Sequence, residues 1–213
     1  MPWIADLVAA VCGYLLGSIS FAVVVSRLFG LADPRSYGSR NPGATNVLRS
    51  GSKLAAALTL AGDAAKGAVA VWLARRYGAP FGVDEFGVAL TGFAAFVGHL
   101  YPVFFRFQGG KGVATFLGVV VALNPWLGLA ACVVWVLIAL FFRYSSLASI
   151  LAAALTPLFH AFASGFDALL ITLAAMSVLL VIRHKQNIAN LMAGTERRIG
   201  DKAHVLPRAR HRG

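Results

Sequence analysis

The sequence predicts an all-α fold, a polytopic integral membrane protein with about seven transmembrane helices. Its 213 residues are 59% hydrophobic and only 13% charged, and the mean hydropathy is +0.75. Soluble domains carry about 25% charged residues, so this chain lacks the polar residues that a water-facing surface needs. The apolar residues also form long runs separated by short polar segments, which is the pattern of a chain that crosses a bilayer repeatedly.

Seven apolar runs define the expected helices. In chain order they lie near residues 4–26, 54–74, 86–105, 112–123, 125–142, 146–163 and 168–182. The first three are long enough to cross a bilayer as helices. Residues 112–142 carry no charge but are too long for one helix, and Asn124-Pro125 is a turn signal that divides them. Because 112–123 and 168–182 are shorter than the roughly 17 residues that a spanning helix usually needs, six spans is the main alternative.

The distribution of Lys and Arg predicts the orientation in the membrane. With seven spans, sixteen of these residues fall on the side of the C-terminus, and only Arg75 and Arg76 fall on the other side. Because basic loops stay on the cytoplasmic side, we expect the N-terminus outside, in the periplasm, and the C-terminus in the cytoplasm. Residues 1–205 are expected to form a single membrane domain, followed by a flexible basic tail at 206–213.

Three polar segments on the predicted cytoplasmic side indicate a site for phosphate. They are residues 38–49, 99–112 and 183–187, which are dense in Gly, Asn, Ser and basic residues. The net charge of +11 agrees with an anionic partner. Since the basic residues lie in short loops and a tail, not on a soluble domain, lipid headgroups or small phosphorylated substrates fit better than nucleic acid.

The first polar segment offers many hydrogen-bond donors to an anion. Its side-chain donors are Ser39, Asn41, Thr45, Asn46 and Arg49. Glycines at 38 and 43 allow the backbone to turn its N–H groups toward a phosphate. The alternative is a capped turn in which Arg49 is only a charge that sets the topology.

The second polar segment places Gly109, Gly110, Lys111 and Gly112 at the start of an apolar helix. Glycines around one lysine at a helix N-terminus are typical of a phosphate cradle. The loop is not a Walker A motif, because a glycine follows Lys111 where Ser or Thr is required. His99, near the end of the third span, is expected to contact this loop. The alternative is a flexible turn between helices.

The third polar segment contains candidates for proton transfer. His184 and Asn187 are three residues apart and share one face if the helix continues, and histidine titrates near neutral pH. Arg183 precedes them and Glu196 follows; the alternative is a polar belt that ends the last span.

Within the second span, Asp63 and Lys66 are also three apart, and we expect them to form an ion pair because isolated charges in a membrane are costly.

Several common motifs are absent from the sequence. It has no metal-ligand spacing and no GxGxxG, HExxH or GxSxG pattern, so we expect no metal and no cofactor. It also lacks a histidine followed four residues later by aspartate, which marks the glycerolipid acyltransferases that use acyl-CoA or acyl carrier protein. At that distance, Val103 follows His99 and Ile188 follows His184.

Taken together, the motifs resemble the bacterial acyl-phosphate:glycerol-3-phosphate acyltransferase family of the PlsY type, over nearly the whole chain. The resemblance rests on Gly-Ser39-Arg40-Asn41-Pro-Gly43-Ala-Thr45-Asn46 with Arg49, on His99-x-x-Pro102 leading to Gly109-Gly110-Lys111-Gly112-Val-Ala-Thr, on Arg183-His184-x-x-Asn187-Ile with Gly194-Thr195-Glu196, and on Asp63-x-x-Lys66-Gly67. Members of the family often carry Gly in place of Arg40 and a basic residue in place of Gln108.

The resemblance implies a seven-span enzyme of the bacterial inner membrane, with its active site on the cytoplasmic side. Such an enzyme moves a fatty acyl group from acyl phosphate to the sn-1 hydroxyl of glycerol 3-phosphate. The products are lysophosphatidic acid and inorganic phosphate, and the reaction is the first acylation of phospholipid biosynthesis. The implied partners are these two substrates and membrane lipid, without nucleic acid or an obligate protein partner.

The resemblance also implies roles for individual residues. His184, Asn187, Lys111 and Ser39 would act at the reaction centre. The substrate-binding residues would be Ser39, Asn41, Thr45, Asn46, Arg49, His99, Gly109, Gly110, Lys111, Gly112, Ser146, Arg183 and Glu196. Two other classes remain open from the sequence. A transporter predicts a site at the membrane midplane and repeated halves, and a non-enzymatic assembly factor would not need three convergent polar loops.

Overall fold

The computed structural model describes residues 2–201, and these residues form helices and loops without a β-strand. The α-helices are α1 (Pro2–Gly17), α2 (Phe21–Leu28), α3 (Ala44–Leu48), α4 (Lys53–Tyr77), α5 (Glu85–Leu100), α6 (Val113–Leu123), α7 (Pro125–Phe142), α8 (Ser145–Ser164), α9 (Ala168–Arg183) and α10 (Lys185–Met192). The predicted all-α fold is therefore confirmed. The basic tail expected at 206–213 lies outside the described residues.

Five helical segments within residues 2–201 are long and apolar enough to cross a membrane. They are Trp3–Leu28, which joins α1 and α2, Glu85–Phe105, which contains α5, and the helices α4, α7 and α8. A sixth candidate is the pair α9 and α10, which is bent by 59°. Helix α6 is apolar but has only 11 residues. The count of seven spans therefore stays a prediction. The two runs that are short in the sequence, 112–123 and 168–182, are also the two that do not form a straight helix of spanning length.

The first span is interrupted, which the sequence pattern did not predict. Helix α1 ends at Gly17 and α2 begins at Phe21, so the predicted single helix over 4–26 is wrong in this detail. Gly17 lies directly against α5, because a Cβ there would stand 2.0 Å from the carbonyl oxygen of Ala95. Small residues allow such close helix contact. The break leaves the carbonyl of Ile19 outside a regular helix, and Lys66 Nζ donates to it at 2.6 Å.

The apolar core lies among α4, α5, α6 and α9. Phe96 of α5 and Phe116 of α6 are almost fully buried and pack edge to face, with ring centroids 6.3 Å apart. By contrast, α7 exposes large apolar side chains such as Trp126 and Phe141, as expected of a lipid-facing helix. Packing of α5 against α6 fixes the two helix ends that flank the glycine-rich loop.

The first polar loop contains a backbone conformation that favours glycine. Arg40 has a φ of +56°, which is the left-handed region where a Cβ costs roughly 1–2 kcal/mol. We predict that Arg40→Gly stabilises the protein by about 1 kcal/mol, or a rise in Tm of roughly 2–4 °C for a chain of this size. Thermal unfolding in detergent tests this. Arg27→Gly in helix α2 is the control and should lower Tm, whereas a lower Tm for Arg40→Gly would contradict the prediction.

Candidate active site

The three polar segments meet at one cavity of about 220 Å³ at one end of the helical bundle. The predicted site residues that line it are Ser39, Asn41, Thr45, Asn46, Arg49, His99, Lys111, Gly112, Ser146, His184, Asn187 and Glu196. Helices α4, α6 and α8 contribute residues from their N-terminal halves, α5 and α7 contribute residues from their C-terminal halves, and His184 follows the C-terminal end of α9. The structure thus brings together loops that are far apart in the sequence.

Asn46 organises the first loop. Its side chain is almost fully buried, and its Nδ2 donates to the carbonyls of Pro34 and Tyr37 at 2.6 and 3.1 Å. Its Oδ1 accepts from the backbone N–H of Ser39 at 3.0 Å and from Arg49 Nη1 at 3.3 Å. The amide therefore folds the loop around itself and holds Ser39 and Arg49 at the cavity.

Three of the predicted substrate-binding residues, Gly109, Gly110 and Arg183, do not line the cavity. Arg183 donates through Nε to the carbonyl of Gly110 at 3.1 Å and through Nη2 to that of Gly109 at 2.9 Å. Its guanidinium also stacks on the ring of Tyr101, 5.3 Å from the centroid. These contacts occupy the guanidinium. Arg183 therefore anchors the glycine-rich loop through the carbonyls of Gly109 and Gly110 and does not line the cavity.

Lys111 is the cation of the second loop that faces the cavity. Its Nζ donates to Asn187 Oδ1. The next residue, Gly112, has a φ of +86° and turns the chain into α6, whose first residues Val113 and Ala114 also line the cavity. The first N–H groups of a helix have no acceptor within it, so the start of α6 adds a partial positive charge to that of Lys111.

Glu196 connects the third segment to α8. Its Oε1 accepts from Ser146 Oγ at 2.6 Å and from Asn187 Nδ2 at 2.7 Å, and its Oε2 accepts from Asn190 Nδ2 at 3.2 Å. These contacts orient the Asn187 amide, with its nitrogen toward the carboxylate and its oxygen toward Lys111. The carboxylate is therefore used for positioning, and the cavity keeps an excess of positive charge.

His184 lies at the bend between α9 and α10 and is 2% exposed. Its Nδ1 stands 2.8 Å from the carbonyl oxygen of Leu180. Because a carbonyl only accepts, Nδ1 carries the hydrogen in the neutral ring and Nε2 carries the lone pair. The fold therefore presents His184 as a ring that can accept a proton at Nε2.

The structure also places at the cavity residues that were not among the predicted site residues. These are Gly43, Ala44, Leu60, Asp63, Val113, Ala114, Leu117, Trp135, Ser145, Ser149 and Arg197. Arg197 is the additional cation, and it follows Glu196 on a segment held at the corner between α7 and α8. There the N–H of Ile199 donates to the carbonyl of Arg143 at 2.6 Å, and Arg143 Nη2 donates to that of Ile199 at 2.9 Å. The one sequence feature that points to Arg197 is its position next to Glu196, a predicted site residue.

Fold and cavity together define a class: a helical membrane protein with a cationic cavity at one end of its bundle. A sequence model of the family described as glycerol-3-phosphate acyltransferase matches residues 7–194. The glycerol-3-phosphate acyltransferase of Ralstonia pickettii is 61% identical over 94% of this chain and 97% of its own length. That of Herminiimonas arsenicoxydans is 61% identical over 93% and 97%. The chain therefore belongs to the glycerol-3-phosphate acyltransferase family.

Two solved structures share this fold. Both are crystal structures of PlsY (YgiH), an integral membrane glycerol 3-phosphate acyltransferase. Its glycerol 3-phosphate form has a TM-score of 0.85 and 42% identity over 92% of this chain and 96% of that one. Its lysophosphatidic acid form has a TM-score of 0.83 and 41% identity, covering 92% and 95%. The resemblance to the PlsY type is thus confirmed: the chain is a multi-pass membrane protein and an acyltransferase.

Proposed function

We propose that this enzyme transfers a fatty acyl group from acyl phosphate to the sn-1 hydroxyl of glycerol 3-phosphate, giving lysophosphatidic acid and inorganic phosphate. The observation that carries this proposal is the single cavity at which all three polar segments meet. Glycerol 3-phosphate and lysophosphatidic acid are also the compounds for which the two forms of the related PlsY structure are described. With acyl phosphate as donor, two phosphate groups occupy the cavity at once, one from each substrate.

The charges at the cavity support the binding of two phosphates. Arg49, Lys111 and Arg197 line it together, and the N-terminus of α6 adds its dipole. Arg49 and Arg197 repel each other, and burial together with this repulsion lowers the pKa of the Arg49 guanidinium. A phosphate between them relieves this repulsion, because each cation gains a charge-assisted hydrogen bond.

The proposed chemistry is direct acyl transfer. The sn-1 hydroxyl oxygen attacks the acyl carbonyl carbon, the bond from that carbon to the phosphate oxygen breaks, and phosphate leaves with the electron pair. Lys111 and the first N–H groups of α6 stabilise the charge on the leaving phosphate, while Arg49 and Ser39 orient glycerol 3-phosphate. We assign the hydroxyl proton to Nε2 of His184; a phosphate oxygen of a substrate is the alternative acceptor.

We further propose seven passes through the bacterial inner membrane, with the N-terminus in the periplasm and the active site in the cytoplasm. In support, successive helices alternate in which of their ends is nearest the cavity, and this alternation includes the short helix α6. The positive-inside rule favours the same orientation, since the loops around the cavity hold most of the basic residues. On the cytoplasmic face, water-soluble glycerol 3-phosphate and a membrane-bound acyl donor can both reach the site.

The pH dependence of the reaction should report Lys111. Burial lowers the pKa of Lys111 to about 8, with Glu196 opposing this shift and Arg49 adding to it. A lysine is charged below its pKa, so kcat/KM should fall as the pH rises through about 8. Bound phosphates stabilise the ammonium form, so the fall in kcat should occur at higher pH. Steady-state rates with a pH-stable supply of acyl phosphate test this, and a kcat/KM that is constant well above that pH would contradict it.

Arg197 should contribute mainly to binding of glycerol 3-phosphate. It is exposed and shares the cavity with Arg49, so we expect Arg197→Gln to raise KM for glycerol 3-phosphate about fivefold, or ~1 kcal/mol, with kcat little changed. Arg198→Gln is the matched control, because Arg198 points to the Tyr144 hydroxyl and does not line the cavity. Equal effects of the two substitutions would contradict a specific role for Arg197.

The proposed function is tested by a reconstituted assay. Purified protein receives labelled glycerol 3-phosphate with either palmitoyl phosphate or palmitoyl-CoA as donor. We expect lysophosphatidic acid and inorganic phosphate in equal amounts from palmitoyl phosphate, and no product from palmitoyl-CoA. Product from palmitoyl-CoA alone would contradict the proposed donor, and no product from either would contradict the proposed reaction.

A further inference from the structure

A buried cluster of ionisable side chains borders the cavity and has no part in the chemistry described above; two of its members line the cavity, and the third, Lys66, does not. It consists of Asp63, Lys66 and His99, whose side chains are 3%, 1% and 7% exposed. Lys66 Nζ stands 2.8 Å from Asp63 Oδ1 and 2.9 Å from His99 Nδ1. The expected ion pair of Asp63 and Lys66 is thus present, and it includes a third member from α5.

The contacts of Lys66 determine the protonation of His99. An ammonium group can donate but not accept. Lys66 Nζ donates to the carbonyl of Ile19 at 2.6 Å and to His99 Nδ1 at 2.9 Å, and it forms an ion pair with Asp63. His99 Nδ1 must therefore accept, and in the neutral ring the hydrogen lies on Nε2. Asp63 supplies the negative charge that keeps the ammonium form of Lys66 favourable away from water.

The other edge of the His99 ring lies against the glycine-rich loop. The N–H of Gly110 donates to the carbonyl of His99 at 3.1 Å, and a Cβ on Gly110 would stand 2.2 Å from His99 Nε2. A Cβ on Gly109 would stand 2.2 Å from the carbonyl oxygen of His99. Contact with His99 therefore requires glycine at both positions, while Arg183 donates to the carbonyls of both glycines.

We propose that His99, fixed by Lys66 and Asp63, is a positioning residue that holds the glycine-rich loop and thereby sets Lys111 against the leaving phosphate. This inference rests on the proposed acyl transfer. This positioning role explains why three ionisable groups lie in an apolar region, where such groups are costly without a function. The role of His99 also links the break in the first span to the active site, because Lys66, which donates to His99, is oriented by the carbonyl of Ile19 at that break.

A double substitution separates positioning from simple stability. Either Asp63→Asn or Lys66→Met alone leaves a buried charge without its partner, which is strongly destabilising. The double variant Asp63→Asn with Lys66→Met removes both charges, so we expect its Tm to be closer to wild type than that of either single variant. His99 still loses its donor, so we expect kcat to fall about 10- to 100-fold, with KM for glycerol 3-phosphate within about twofold. A folded double variant with wild-type kcat would overturn the proposal.

A pair of substitutions at His99 tests the same idea independently. Glutamine carries an amide oxygen that can accept from Lys66 in place of His99 Nδ1, so His99→Gln should retain clearly more kcat than His99→Leu. The matched control is His160→Gln, because His160 is also buried and bonds a carboxylate, Asp167, at 2.9 Å; it should leave kcat unchanged. Equal kcat for His99→Gln and His99→Leu would overturn the proposal. Absence of lysophosphatidic acid from wild type and His160→Gln alike would instead contradict the proposed function.

Discussion

Replacing Lys111 with alanine should lower kcat by about 100- to 1,000-fold, the range found when one preorganised stabilising donor is removed from an active site. Lys111 is the cation that the glycine-rich loop directs into the cavity, next to the N-terminus of α6. Its charge acts on the phosphate as that group leaves, so the loss should appear in kcat more than in KM. Initial rates with palmitoyl phosphate and glycerol 3-phosphate, on protein shown to be folded in detergent, measure this effect.

The chain offers a matched control for this substitution. Lys185 is an exposed lysine at the start of α10 and does not line the cavity. Lys185→Ala removes the same charge from the same end of the bundle and should leave kcat close to wild type. If Lys111→Ala retained full turnover, or if both variants lost activity equally, the role of Lys111 at the leaving phosphate would be wrong.

His184→Gln should lower kcat about 100-fold, in the range expected for loss of a general base. The side chain is buried beside the cavity, and its contact with the carbonyl of Leu180 keeps the lone pair on Nε2. Glutamine preserves most of the volume and offers an N–H for the carbonyl of Leu180, but it cannot accept the proton. KM for glycerol 3-phosphate should change little, because Arg49 and Ser39 carry that contact in the proposed mechanism.

The result for His184 decides between the two proton acceptors. His160→Gln, at a buried histidine outside the cavity, controls for the general effect of replacing a buried ring and should keep kcat. A His184→Gln variant with nearly full kcat would exclude His184 as the base and would favour a phosphate oxygen of a substrate.

The membrane fold and the meeting of the three loops could be predicted because they depend on features visible in the sequence. Long uncharged runs set the helices, and the basic residues set which loops share a side. Residues such as Arg49, Lys111 and Asn187 were found because polar, glycine-rich segments at a membrane boundary are rare without a function. The break after Gly17 was not predicted, since it contains no proline and depends on contact between α1 and α5.

The direction in which each cation points could not be predicted. Arg183 and Lys111 are both basic residues beside glycines or polar groups, yet Arg183 binds the carbonyls of the loop and Lys111 faces the cavity. Only the path of the chain between α5 and α6 decides this. Arg197 adjoins the predicted site residue Glu196, but its place at the cavity depends on the C-terminal segment folding back onto Arg143, a long-range contact that no local pattern indicates.

In the proposed mechanism both substrates meet in one cavity and the acyl group passes directly from one to the other. A rapid-quench experiment with labelled palmitoyl phosphate tests this most directly. On mixing with enzyme alone, no label should become attached to the protein, and on addition of glycerol 3-phosphate all transferred label should appear in lysophosphatidic acid. Label bound covalently to the protein before the acceptor is added, for example on Ser39, and then passed on to glycerol 3-phosphate would contradict direct transfer.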